Sequence, residues 1–209
     1  MHTSFILDAA KAIQQSILNN EAALESLDRE IGDGDHYINM KRGAQAIVSM
    51  QEELVSLSAA LALNKIGLKL LSTLGGASGP LLASFFMSMA KQWPAAGKAD
   101  LQSIALAFDA GVQAIMLRGK AGLGEKTMLD VLIPVSQQFK QLAEKKQTKA
   151  FICIALMESA EQGLINTRDL IATKGRAAGL GERAMGHLDP GAKSCQLIIT
   201  AVCQLALAP

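Results

Sequence analysis

Residues 127–146 read TMLDVLIPVSQQFKQLAEKK, and in them Met128, Val131, Leu132, Val135 and Phe139 recur at intervals of three and four rather than two. That period puts them on one stripe of a helix, which buries one face. Residues 4–26 repeat the pattern with Phe5, Ala9, Ile13 and Ile17. Working outward, strand-forming residues are sparse while Ala, Leu, Met, Gln and Lys are plentiful, so the chain reads as all-α. Eight helical stretches are predicted, near 4–26, 36–56, 58–73, 79–91, 100–118, 127–146, 148–173 and 191–207. Helices joined by short links pack antiparallel to their neighbours, which predicts an up-and-down antiparallel eight-helix barrel or bundle. No shift in composition marks a second domain, so 1–209 is expected to be one domain, and 50% hydrophobic content supplies its core.

Composition removes several function classes. A net charge of +1 and 4% aromatic residues provide neither a basic field nor stacking platforms for nucleic acid. No run approaches the roughly 18 apolar residues of a membrane span, and Leu81–Ala90 and Leu197–Ala208 are short or broken. The first residues, including His2, carry no basic stretch followed by an apolar one, so no secretory signal is read and the expected compartment is cytoplasmic. Cys153, Cys195 and Cys203 fit no zinc or disulfide spacing and read as reduced core thiols.

The glycines fall mostly between the helical stretches: Gly32 and Gly34; Gly75, Gly76 and Gly79; Gly119, Gly122 and Gly124; then Gly175, Gly179, Gly181, Gly186 and Gly191. In an up-and-down chain the loops after the first, third, fifth and seventh stretches emerge at one end, and those are the glycine-rich ones. One end of the bundle is therefore the candidate site. Glycine as a plain helix terminator explains single positions but not the bias toward one end.

The first of these loops, DREIGDGDH over 28–36, crowds Asp28, Asp33 and Asp35, whose repulsion a cation offsets. Gly32 and Gly34 allow a turn tight enough for the three carboxylates to converge, and hard oxygen ligands suit magnesium or calcium. An EF-hand is excluded, because Tyr37 and Ile38 stand where that motif needs a ligand and a glycine. Magnesium takes few protein carboxylates and fills its shell with phosphate and water, so three aspartates suit two ions bridging a polyphosphate. The competing reading is a solvated acidic turn capping the next helix.

In GGASGP over 75–80, Gly76, Ala77 and Ser78 can offer N–H groups and a hydroxyl to an anion at a helix N-terminus, or the segment only caps the helix. RGKAGLGEKT over 118–127 approaches a P-loop signature and misses it, since Glu125 separates Gly124 from Lys126 and no strand precedes it. It reads as a flexible basic loop closing on Thr127 and Met128, and its lysines read equally well as solvated charges. In 174–191, Arg176 offers a fork for phosphate, and Asp189 before Pro190 reads as an N-cap with or without a further role. His187 has no evident partner. With no Ser-His-Asp, CxxC or paired-carboxylate arrangement, hydrolysis, redox and acyl transfer lack support. Phosphoryl transfer, which needs positioning and charge neutralisation, fits the inventory.

Together DREIGDGDHYINMKRG, GGASGPL, RGKAGLGEKTMLDVL and KGRAAGLGERAMGHLDPGAKS resemble the nucleotide-binding L subunit of bacterial dihydroxyacetone kinases and the C-terminal domain of the single-chain ATP-dependent enzymes, over essentially the whole chain. The resemblance implies an eight-helix barrel carrying ADP or ATP at one end, with two magnesium ions held by Asp28, Asp33 and Asp35. It implies nucleotide contacts from His36, Asn39, Ala77, Ser78, Gly119, Met128, Arg176, Asp189 and Gly191. It further implies that a separate K subunit holds dihydroxyacetone, that a phosphohistidine-bearing M subunit of the phosphotransferase system rephosphorylates the nucleotide, and that such subunits also signal to a transcription regulator. An ATP-exchanging kinase subunit, for dihydroxyacetone or another small ketose, is the alternative. We expect a homodimer.

Overall fold

The computed structural model describes residues 3–94 and 99–208; His2 and the last residue, Pro209, lie outside the described residues. Every regular element among them is helical: α1 Thr3–Asn19, α2 Glu21–Ile31, α3 His36–Val48, α4 Gln51–Leu54, α5 Ala59–Thr73, α6 Ser78–Gln92, α7 Leu101–Gly119, α8 Leu129–Glu144, α9 Lys149–Asn166 and α10 Pro190–Leu207, with 3-10 turns at Thr167–Asp169 and Arg176–Ala184.

Three predicted stretches end earlier or divide. The first breaks at Asn20, whose side-chain amide turns back to the Ser16 carbonyl at 2.8 Å and takes that group out of the helix. The second breaks at Ser49 and Met50, where the Ser49 hydroxyl bonds to the Ala46 carbonyl, leaving α4 as a single turn. The stretch predicted over 148–173 stops at Asn166, because the carbonyls after it are taken by a side chain from another loop, described below.

Eight helices close a ring. α5 packs on α6, α6 on α7, α7 on α8, α8 on α9, α9 on α10, α10 on α1, α1 on α3 and α3 back on α5. The apolar stripes face inward. One core gathers Val112 and Ile115 of α7, Val131, Val135 and Phe139 of α8, Ile152 and Leu156 of α9, and Ile199 of α10. A second joins Ile6, Leu7, Leu54, Leu63, Ile66, Leu70 and Trp93. Phe85 of α6 borders both and meets Phe108 edge to face at 5.5 Å. Gly111 makes this possible, since a Cβ there would stand 2.5 Å from the Phe85 ring. Gly163 does the same for α8 and α9: a Cβ would stand 2.5 Å from the Asp130 carbonyl, which Pro134, lacking an N–H, leaves without its helical donor. No described helix is long and apolar enough to cross a membrane, and the three cysteines are buried and free.

The alternation of the ring sorts the connections into two ends. Ser4, Leu101, Gln147, Lys149 and Ala208 line one cavity of about 940 Å³, in which Asp100, Lys146 and Lys149 are the charged residues among those described. Residues from all four glycine-rich connections line a second cavity of about 750 Å³.

Candidate nucleotide and metal site

The second cavity is built as the glycine spacing predicts. The connection after α2 contributes Asp28, Gly32 and His36; that after α5, Ala77, Ser78 and Pro80; that after α7, Gly119, Lys126, Thr127 and Met128; and the long one after α9, Lys174, Arg176, Asp189 and Gly191. Its volume lies in the range of small-ligand sites.

The aspartate loop is folded around Asp28. α2 ends with the Gly32 N–H on the Asp28 carbonyl at 2.7 Å, and the Asp28 carboxylate then doubles back over Gly32. A Cβ at Gly32 would stand 1.8 Å from Asp28 Oδ1, so only glycine fits beneath it. Asp28 Oδ2 accepts the His36 N–H at 2.9 Å and so holds the first turn of α3. Gly34 makes the reversal at φ +80°. As a result one carboxylate oxygen from each of Asp28, Asp33 and Asp35 lies within 4.8 Å of the others, with Asp28 buried and the other two exposed. Three anionic oxygens so close, one desolvated, form a donor set for a hard divalent cation. Arg176 reaches Asp33 Oδ2 through Nε at 2.7 Å.

His36 lines the cavity and hydrogen-bonds through Nε2 to Ser194 Oγ at 2.6 Å. Burial holds its imidazole below the usual histidine range, against the opposing pull of Asp28 and Asp35. Asn39 is one turn further along α3, buried, 3.5 Å from Arg42 Nη1, and not among the lining residues. On the second loop, Gly76 turns at φ +61° and the Ser78 hydroxyl donates to the Gly75 carbonyl at 3.0 Å. A Cβ at Gly79 would stand 2.6 Å from the Leu74 carbonyl, so the start of α6 lies against its own loop.

Asp130, a residue that sequence reasoning passed over, orders the third loop. Its buried carboxylate accepts the Gly124 N–H at 2.6 Å through Oδ1 and the Thr127 N–H at 2.7 Å through Oδ2, and Thr127 Oγ1 accepts the Leu129 N–H at 3.1 Å. This is a capping box that starts α8 and pins the glycine loop at once. The sequence signal was a carboxylate between Leu129 and Val131, inside an apolar stripe. Glu125 adds a tie across the site, accepting from Gly122 N at 2.6 Å and from Thr173 Oγ1 at 2.8 Å. The loop is thus braced rather than flexible, and of its lysines Lys120 is exposed while Lys126 is 1% exposed.

Asp189 caps α10, with Oδ2 accepting the Ala192 N–H at 2.7 Å. It also lines the cavity, so it is both cap and wall. Burial pushes its carboxyl up to about 7, with nearby Asp130 adding to the rise and the Ala192 N–H and Lys126 opposing it. Gly191 is held open beside it, a Cβ there standing 3.0 Å from Asp189 Oδ2. His187, without a partner in the sequence reading, bonds Glu30 Oε2 through Nδ1 at 2.7 Å.

With four glycine loops and three converging aspartates at one end of a ring of helices, the chain was compared with known proteins. The family pattern described as the DAK2 domain matches residues 30–204. The chain belongs to the DAK2 domain family. It is 39% identical over 176 residues, 84% of each chain, to the PEP-dependent dihydroxyacetone kinase, ADP-binding subunit DhaL, of Escherichia coli K12. It is 39% identical over 184 residues, 86% of this chain and 83% of the relative, to the ADP-binding subunit DhaL of PEP-dependent dihydroxyacetone kinase 2 of Listeria innocua. The fold is that of the crystal structure of the dihydroxyacetone kinase from C. freundii in complex with AMP-PNP and Mg2+, at a TM-score of 0.75 and 23% identity; the match covers 96% of this chain and 34% of that one. The all-helical ring is therefore a DAK2 fold, and the relatives that carry it are kinases or kinase subunits.

Proposed function

We propose that this chain is the ADP-binding subunit of a dihydroxyacetone kinase, with a magnesium-bound nucleotide in the cavity of about 750 Å³ and dihydroxyacetone carried on a separate K subunit. The observation that carries this reading is the convergence of Asp33 and Asp35 on Asp28, which lines a cavity walled by four glycine-rich loops. The likeness to ADP-binding subunits of PEP-dependent kinases supports it.

The residues have separable tasks. Asp28, Asp33 and Asp35 would hold the magnesium, which when bound supplies neutralisation of phosphate charge; two ions suit a polyphosphate spanning the cluster. The N-terminus of α6, at Ala77 and Ser78, offers backbone N–H groups to anionic oxygens. Arg176 presents a fixed positive charge beside Asp33, in reach of the same phosphates. Gly119, Met128 and Gly191 form close walls. We assign Asn39 to the support of α3 beneath the aspartates rather than to contact with the nucleotide. The phosphoryl donor in this reading is a phosphohistidine-bearing M subunit, and the nucleotide stays bound while the phosphoryl group passes through it.

The test is purification followed by nucleotide analysis. Bound ADP should accompany the chain, and phosphoenolpyruvate with the phosphohistidine proteins, rather than ATP, should support turnover with the K subunit. A chain that emerges without nucleotide and exchanges ATP freely overturns the relay and favours an ATP-exchanging kinase. Asp33→Ala should abolish transfer; unchanged turnover would refute the metal assignment.

A further inference from the structure

The most deeply buried charged group of the described residues lies in a loop whose sequence suggested solvated lysines. Lys126 is 1% exposed and is the largest fully buried side chain among the described residues. Its Nζ donates to the Thr167 carbonyl, to the His187 carbonyl at 2.6 Å and to the Arg168 carbonyl at 3.3 Å. An ammonium has three protons, and these acceptors use all of them. Although Lys126 forms part of the cavity wall, its charge is therefore committed to the protein and not aimed at a phosphate. This separates it from the lysine of a P-loop, which the sequence superficially resembles.

The three carbonyls are informative by position. Thr167 and Arg168 follow the last turn of α9, where unpaired carbonyls and the negative end of the helix favour a cation. His187 stands at the far end of the segment that begins there. One ammonium thus closes the base of segment 168–187, assisted by the Gly186 N–H on the Arg168 carbonyl at 2.8 Å and the Asp189 N–H on Thr167 Oγ1 at 3.0 Å. Beyond this base the segment has a small apolar cluster of its own, Ala172, Ala177, Leu180 and Ala184 around Ile31, separate from the two main cores. Arg176, which meets Asp33, is carried on that segment, and Asp189 follows it.

The backbone argues the same way. Lys126 is left-handed at φ +59°, a conformation in which a side-chain-bearing residue is disfavoured and glycine is not. The loop has glycine at 122 and 124, yet at this strained position it has lysine, so the side chain compensates for the backbone.

We propose that Lys126 is a positioning residue: its buried ammonium fastens the third glycine loop to the base of segment 168–187 and thereby fixes Arg176 and Asp189 relative to the aspartate cluster. The proposal rests on the nucleotide reading above only for its effect on ADP; the fastening itself is independent of it. In Lys126→Met the three carbonyls lose the ammonium they share, whereas Lys126→Arg keeps a charged donor.

Two measurements on the full chain test it. First, in Lys126→Met, amide exchange over 168–187 should accelerate about tenfold or more relative to α5–α8, and affinity for ADP with Mg2+ should fall about tenfold, as for residues that support a binding shell. Lys126→Arg, matched for melting temperature, should recover most of that affinity. Unchanged exchange in 168–187, or equal ADP affinities for the Met and Arg variants, overturns the proposal. Second, should the Met variant not fold, timed acetylation of the wild-type protein with acetic anhydride serves. Lys120 should react at once and Lys126 only through opening of the segment, and ADP with Mg2+ should slow Lys126 further. Rapid labelling of Lys126 overturns the fastening; labelling unaffected by ADP, with ADP binding shown separately, overturns the positioning. Failure of ADP to bind at all would strike the nucleotide reading and leave the exchange result standing.

Discussion

At the end of the ring away from the glycine loops, α5, α7 and α9 begin on Ser58, Asp100 and Thr148, each of whose side-chain oxygens accepts the N–H three residues on. At the glycine-loop end, α3 begins under a carboxylate from eight residues upstream, and α6 begins on Ala77 with no side-chain cap. The far end satisfies its orphan N–H groups locally. The loop end is mixed: α8 and α10 carry local caps from Thr127 with Asp130 and from Asp189, whereas α3 is held from a distance and α6 is left to whatever occupies the cavity, and the same end gathers the buried charges Asp28, Lys126, Asp130 and Asp189. A fold that caps the helices starting at one end locally can leave the starts of α3 and α6 at the other for binding.

Two N-cap aspartates sharpen this contrast most. Asp100 at the far end is exposed, and its carboxyl is held below the usual range by the Ser103 hydroxyl and N–H. Its contribution is present at neutral pH and lost as pH falls through its own pKa. Asp189 at the loop end is raised from 3.8 to about 7 by burial. A raised folded-state pKa means stability that is fully present below about pH 3.8 and lost as pH rises through about 7, a difference on the order of 4 kcal/mol. Urea titrations at pH 5 and pH 8 should show wild-type stability falling relative to Asp189→Asn, which binds no proton in that window. Parallel pH curves for the two proteins would remove Asp189 as the source.

The next effect in size concerns Gly32. Gly32→Ala places a methyl where Asp28 Oδ1 now lies, and should lower Mn2+ affinity about a hundredfold by displacing a cluster carboxylate, read by electron paramagnetic resonance. Retained Mn2+ binding would show that Asp28 is dispensable to the cluster. At the far end Thr148→Ala should cost about 1 kcal/mol of stability and leave nucleotide affinity unchanged; altered affinity would mean the ends are coupled. The smallest effect is the reverse experiment. Ala77→Asp gives α6 the cap it lacks and should add about 0.5 kcal/mol of stability without nucleotide while weakening ADP, because an anion then occupies the helix start. Tighter ADP binding would contradict a role for that terminus.

The same division explains what was legible. Stripes such as Met128, Val131, Val135 and Phe139 predicted the helices, and alternation predicted that four loops share one end, because both depend on residues near each other in sequence. Eight of the nine proposed nucleotide residues, all but Asn39, line the cavity. What escaped were side-chain partners outside the helical period, one of them far away in the chain and one six residues back. The stop of α9 at Asn166 depends on Lys126, and the braced third loop depends on Asp130 reaching back to Gly124. The break at Asn20 was local but depended on a side chain choosing a carbonyl over water, which helical periodicity does not encode.

Closure of the ring by α1 against α10 also has a consequence in time. α1 packs on α3 early but completes its packing only when α10 has been made, and Asp189 and Gly191, two walls of the cavity, arrive with α10. Contacts of such long sequence separation are expected to form late. During synthesis the aspartate loop therefore has no finished cavity around it until α10 is made, and competence to retain a ligand should appear abruptly, as that helix leaves the ribosome, rather than grow with chain length.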